Sequence, residues 1–91
     1  MSRKYKAVVW RTGMIEIVTS VPDGAIEIAR GGKKQLEECV LPPARLAYDG
    51  RTWLVPGIPE ADFDDEAMAA LKAFQMQVKI RLAKFGEGTL L

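Results

Sequence analysis

The sequence predicts an α+β fold: a small antiparallel sheet of three to five short strands packed on a long C-terminal helix, with a short second helix. Three observations carry this. Short runs rich in Val, Ile, Tyr and Trp, separated by glycine-containing turns, fill the N-terminal third. Phe63 to Phe85 keeps a helical apolar period without a glycine or proline. Prolines 42, 43, 56 and 59 punctuate the middle of the chain. Residues 1–91 read as one small domain, near the size at which folding buries only about 60% of the unfolded surface.

The elements follow in order. Lys4–Arg11 and Met14–Ser20 flank Thr12-Gly13 as a hairpin, with Ile15 and Ile17 on one face and Glu16 on the other. Val21-Pro22-Asp23-Gly24 is turn chemistry, with Pro22 at the first central position. In residues 25–30, Ile26 and Ile28 alternate against Glu27, which fits a third strand; a helical turn capped by Ser20 is the rival. Gly31-Gly32 ends either one. Lys33–Leu41 places Leu36 and Val40 on one side of a short helix beside Cys39, and Pro42-Pro43 stops it.

Asp49-Gly50 has the composition of a two-residue type I′ hairpin turn, which sets Tyr48 opposite Arg51, Ala47 opposite Thr52 and Leu46 opposite Trp53. That register buries Trp53 and leaves Tyr48 and Arg51 at the tip. For the last helix, Asp62 serves as N-cap, Asp64, Asp65 and Glu66 occupy the first turn, and Lys79, Arg81 and Lys84 occupy the last turn before a stop at Gly86.

That helix has two apolar faces. At roughly 100° per residue, Ala67, Leu71, Phe74, Val78, Leu82 and Phe85 form one stripe, and Ala69, Ala73, Met76, Ile80 and Ala83 form another nearly opposite. A helix lying on a sheet needs one stripe. The bulkier stripe belongs on the sheet. For the second, either the Lys33–Leu41 helix covers it, or its alanines sit exposed as good helix formers, or another molecule docks there. The docked molecule is then a second copy in a two-fold homodimer or a host protein.

Catalytic chemistry has little to stand on. The chain lacks histidine, the commonest general base and a frequent zinc ligand, and holds one cysteine. Asp62, Asp64, Asp65 and Glu66 supply oxygen ligands, but the glycine and the distant glutamate that a calcium loop needs are misplaced, so helix N-terminal charge accounts for them better. Gly31–Lys34 (GGKK) fails the phosphate-loop pattern, because Lys34 stands where Ser or Thr belongs. Cys39 reads as a core thiol. No cofactor, metal or small-molecule substrate is implied, and a non-catalytic protein is expected.

The net charge of +1 provides no overall field for nucleic acid or an anionic membrane. A local alternative exists in Arg3, Lys4, Lys6 and Arg11, interleaved with Tyr5 and Trp10, a pattern that can stack bases and follow a backbone; lysines guarding an edge strand explain the same residues. One unpaired cysteine and no run of roughly 18 apolar residues lead to the expectation of a cytoplasmic protein without a membrane span. AYDGRTWLVPGIPEA, Ala47 to Ala61, with WRTGMIEIV and GAIEIARG upstream, resembles small early-region proteins of Mu-like temperate phages and prophages. The resemblance covers about half the chain. It implies a protein that binds and retunes a host protein, as inhibitor or adaptor. Pro42-Pro43 departs from that pattern, in which a helix continues toward the tyrosine.

Overall fold

The computed structural model describes residues 5–58 and 64–90, with side chains as far as Phe85. The strands are β1 (Tyr5–Trp10), β2 (Met14–Val18) and β3 (Ala25–Gly31), then helix α1 (Lys33–Val40), strands β4 (Arg45–Leu46) and β5 (Trp53–Leu54), and helix α2 (Asp65–Leu90). All five strands form one antiparallel sheet in the order β3-β1-β2-β5-β4, so the fold is α+β and residues 25–30 are strand rather than helix. Both helices lie on the same face. Leu36 and Val40 of α1 and Leu71, Phe74 and Val78 of α2 share a core with Ala7, Val9, Ile15, Ile28 and Val55.

Local chemistry explains the connections. The β1–β2 turn closes with Gly13 N–H donating to the Trp10 carbonyl at 2.8 Å, and Gly13 takes φ +86°, a value costly for any residue with a Cβ. The Gly13 carbonyl then accepts from Val55 N–H at 2.9 Å, which ties the β1–β2 hairpin to the end of β5. The turn into β3 sits one residue later than the sequence predicts. Ala25 N–H donates to the Pro22 carbonyl, placing Gly24, φ +88°, at the third position, where a left-handed residue is required.

β1 and β3 change register between Ala7 and Val8, where Ala7 pairs with Ala29 and Val8 with Glu27. This irregularity alters the expected alternation. Ile28 is buried in the core, whereas Ile26, at the turn end of an edge strand, remains 43% exposed. The opposite face of the sheet carries Lys6, Val8 and Trp10 of β1. Val8 lies directly across from Glu16 and Glu27 and is fully buried.

The β4–β5 hairpin has the expected Leu46–Trp53 register, and Ala47 N–H donates to the Thr52 carbonyl at 2.7 Å. Its turn differs from type I′. Only Gly50 takes positive φ, because Asp49 satisfies the loop another way. The Asp49 carboxylate accepts from Arg51 N–H (2.8 Å), Thr52 N–H (2.9 Å) and the Thr52 hydroxyl (2.7 Å), while Gly50 N–H donates to the Ala47 carbonyl. Tyr48 and Arg51 are exposed, as expected for the tip, and Trp53 is half-buried, packed against the core.

The bonds from Thr52 and Arg51 hold the Asp49 carboxyl below the usual carboxylate range. For a depressed group, the stabilisation is present above the unfolded value and lost as pH falls through the folded one. The protection of the Thr52 amide, its exchange rate relative to an unstructured amide at the same pH, should therefore persist at neutral pH and be lost below the ordinary carboxylate range before that of the core amides. Exchange at Thr52 that tracks the core throughout an acid titration would contradict this assignment.

Helix α2 corrects two expectations. Asp64, not Asp62, caps it: its Oδ1 accepts from Ala67 N–H at 3.1 Å, and Asp62 and Phe63 lie outside the described residues. The helix also continues through Gly86 to Leu90. Glycine lowers helix propensity by about 1 kcal/mol relative to alanine, but it stops a helix only where it adopts a left-handed conformation, and Gly86 adopts none.

Candidate functional site

The core face of α2 matches the first stripe. Ala67, Leu71, Phe74 and Val78 are buried, and Leu82 is partly so. Gln75, beside that stripe, donates from Nε2 to the Ile28 carbonyl at 3.3 Å and fixes α2 to β3. On the sheet, α1 lies beside α2, touching β1, β2, β3 and α2, and does not roof it.

The second stripe is consequently uncovered by any described residue. Met76 is 60% exposed and Ile80 51%, and Ala69, Ala73 and Ala83 are all exposed. Grooves border this ridge. One, of about 230 Å³, is lined by Lys72, Gln75, Met76 and Lys79; the other, of about 380 Å³, by Gln77, Ile80, Arg81 and Lys84. A smaller groove of about 100 Å³ beside Ala73 is bordered by Pro43, Pro56 and Phe74. A mid-helix methionine and isoleucine left in water are a local cost that a partner surface removes.

The basic aromatic strand has a different setting. Arg3 and Lys4 lie outside the described residues. Trp10 is engaged, its Nε1 donating to Glu16 Oε1 at 2.6 Å across β1 and β2. Lys6 donates to the Thr19 carbonyl at 3.3 Å, and Arg11 is exposed near the Gly24 turn. Glu27, which faces Val8, is ion-paired with Arg30 at 2.7 Å. Carboxylates therefore interleave with the cations on this face, a feature that β-strand alternation alone did not reveal.

Other candidate chemistry resolves into structure. Cys39 is buried against α2, and burial, followed by the charge of Glu38, pushes its thiol up and away from the reactive thiolate. Gly31 ends β3, and Gly32 is the N-cap of α1, its N–H donating to Gln35 Oε1 at 3.4 Å, with Lys33 and Lys34 exposed in the first turn. Among the described residues no group of three His, Cys, Asp or Glu side chains is placed to hold a metal ion, and no helix is long and apolar enough to cross a membrane.

Fold and surface together define a class: an α+β domain whose longest helix buries one face on its own sheet and presents a second, apolar one outward. No family model, curated protein or solved structure matches the chain.

Proposed function

We propose that this protein is a small non-catalytic interaction module that binds another polypeptide through the outer face of α2, acting on a host protein as inhibitor or adaptor, or associating with itself. The observation that carries this reading is the exposure of Met76 and Ile80, flanked by Ala69, Ala73 and Ala83, in the middle of a helix whose opposite side already anchors the fold. The resemblance of Ala47–Ala61 to small early-region phage proteins supports the same direction, since proteins of that kind act by binding host proteins. The competing reading, nucleic-acid binding through Lys6, Arg11 and Trp10, has weaker support because Glu16 and Glu27 share that face of the sheet.

Met76→Lys tests the module directly. Because Met76 points into solvent, the substitution should leave circular dichroism and thermal unfolding within about 0.5 kcal/mol of the parent, the range of ordinary surface changes. It should abolish association, read as the mass of the free protein by light scattering and as recovery of bound protein from an extract of the native host. A parent that is monomeric at high micromolar concentration and recovers the same proteins as Met76→Lys sinks the reading.

A further inference from the structure

We infer that the outer face of α2 is built to receive an amphipathic helix from a different protein, one whose apolar seam is flanked by Asp and Glu, rather than a second copy of this chain. The inference rests on the interaction reading above and names its partner class.

Spacing supplies the first argument. Ala69, Ala73, Met76, Ile80 and Ala83 follow one another at intervals of four, three, four and three residues, the heptad spacing of a helix–helix seam. Alanines at three of those positions let a second backbone approach closely, and Met76 and Ile80 stand between them as knobs. A membrane-surface helix has a different make-up: it buries bulky Trp, Phe or Leu, and this ridge has none of them.

Charge supplies the second. From Ala67 to Gly86 the chain contains no Asp or Glu, while Lys72, Lys79, Arg81 and Lys84 line the two grooves beside the ridge. None of these four forms an ion pair with any described residue. Arg81 does share the surroundings of Cys39 with Glu38, which offsets part of its charge. The helix dipole does not account for them. The sequence alone places Lys79, Arg81 and Lys84 in a last turn, but α2 runs on to Leu90, and its last turn holds no basic residue.

Self-pairing is disfavoured by the same residues. An antiparallel pair would set Ala73 against Met76 and Ala69 against Ile80, a good steric fit, yet it would bring Lys72 close to Lys79 twice across the two-fold axis, a repulsion that Asp65 and Glu66 at the level of Lys84 offset only at the ends of the seam. A parallel pair would set Lys79 against Lys84. Either geometry confronts like charges along the seam, whereas a partner with carboxylates at the flanking positions pairs every one of them.

The test uses the full chain and two synthetic helical peptides of about three heptads, identical in their Leu and Ile seam, one with Glu and one with Lys at the flanking positions. Fluorescence anisotropy should show the Glu-flanked peptide binding at least about tenfold more tightly, with the preference shrinking as salt rises from about 50 to about 500 mM. The double substitution Lys72→Glu and Lys79→Glu, checked for unchanged circular dichroism, should remove or reverse that preference. Equal binding of the two peptides, or of the parent and the double variant, overturns the inference. So does failure of both peptides alongside either a stable dimer that Met76→Lys dissociates, which leaves the interaction reading standing, or binding to vesicles of equal phosphatidylcholine and phosphatidylglycerol, which replaces it.

Discussion

Phe74→Ala is expected to cost about 3–5 kcal/mol, a large fraction of the roughly 5–15 kcal/mol that stabilises a typical domain. Phe74 is buried where α2 meets the sheet, in one cluster with Leu36, Val55 and Leu71, so truncation leaves a cavity that the short β5 and its flanking loops are poorly placed to fill. At about 4–8 °C of midpoint per kcal/mol, thermal unfolding should fall by well over 10 °C. Met76→Ala, two residues along the same helix, removes a side chain mostly in water and should change the midpoint by no more than a few degrees. Calorimetry on the pair measures the asymmetry of the two faces. Similar losses for both would mean that the outer face is covered in the folded protein.

Leu36→Ala carries the second large effect, about 2–5 kcal/mol. Leu36 is the largest side chain with no exposure at all, and α1 is only eight residues long, too short to persist in water without its packing. Losing this contact removes the main reason for α1 to be helical. Chemical denaturation should show a lower midpoint, and loss of α1 would also expose Cys39, so reaction of the thiol with a disulfide reagent in native buffer should accelerate together with the destabilisation. A thiol that stays as protected as in the parent would show that α1 holds its place without Leu36.

Much of this architecture is legible in the residues. β-rich runs around Thr12-Gly13, the i, i+4 spacing of Leu36 and Val40, and the two stripes of the last helix each follow from side-chain periodicity, which the chain obeys wherever packing and local preference agree. The expectations that shifted share a cause: one residue type satisfies more than one local geometry. Asp49 tolerates a left-handed turn, yet here its carboxylate collects three hydrogen bonds from the loop instead. Gly86 permits a helix stop without enforcing one. Ile26 and Ile28 alternate as strand residues should, but the irregularity opposite Ala7 and Val8 buries one and leaves the other partly in water.

The site was half legible. Its residues and their spacing stand in the sequence, and so does the absence of carboxylates from Ala67 to Gly86. What periodicity does not carry is placement: whether a short helix roofs a long one or lies beside it depends on where Leu36 and Val40 find depth, and they find it on the sheet. The weight of the basic flanks was hidden by the predicted end at Gly86, which assigned those cations to the helix terminus.

The position of α2 after the sheet and α1 sets a timing for synthesis. The sheet and α1 are complete before the first residue of α2 is added, so the side of Ala7, Val9 and Ile15 that Phe74 and Val78 will cover is finished while its lid is still being made. At about 5–20 residues per second, the 26 residues of α2 take roughly 1–5 s to translate. During that interval the nascent chain offers an open apolar sheet, and it is then that a holding chaperone has the most surface to recognise. Once α2 docks, the exposed apolar surface passes from the sheet to the ridge of Met76 and Ile80, the face proposed above for a partner.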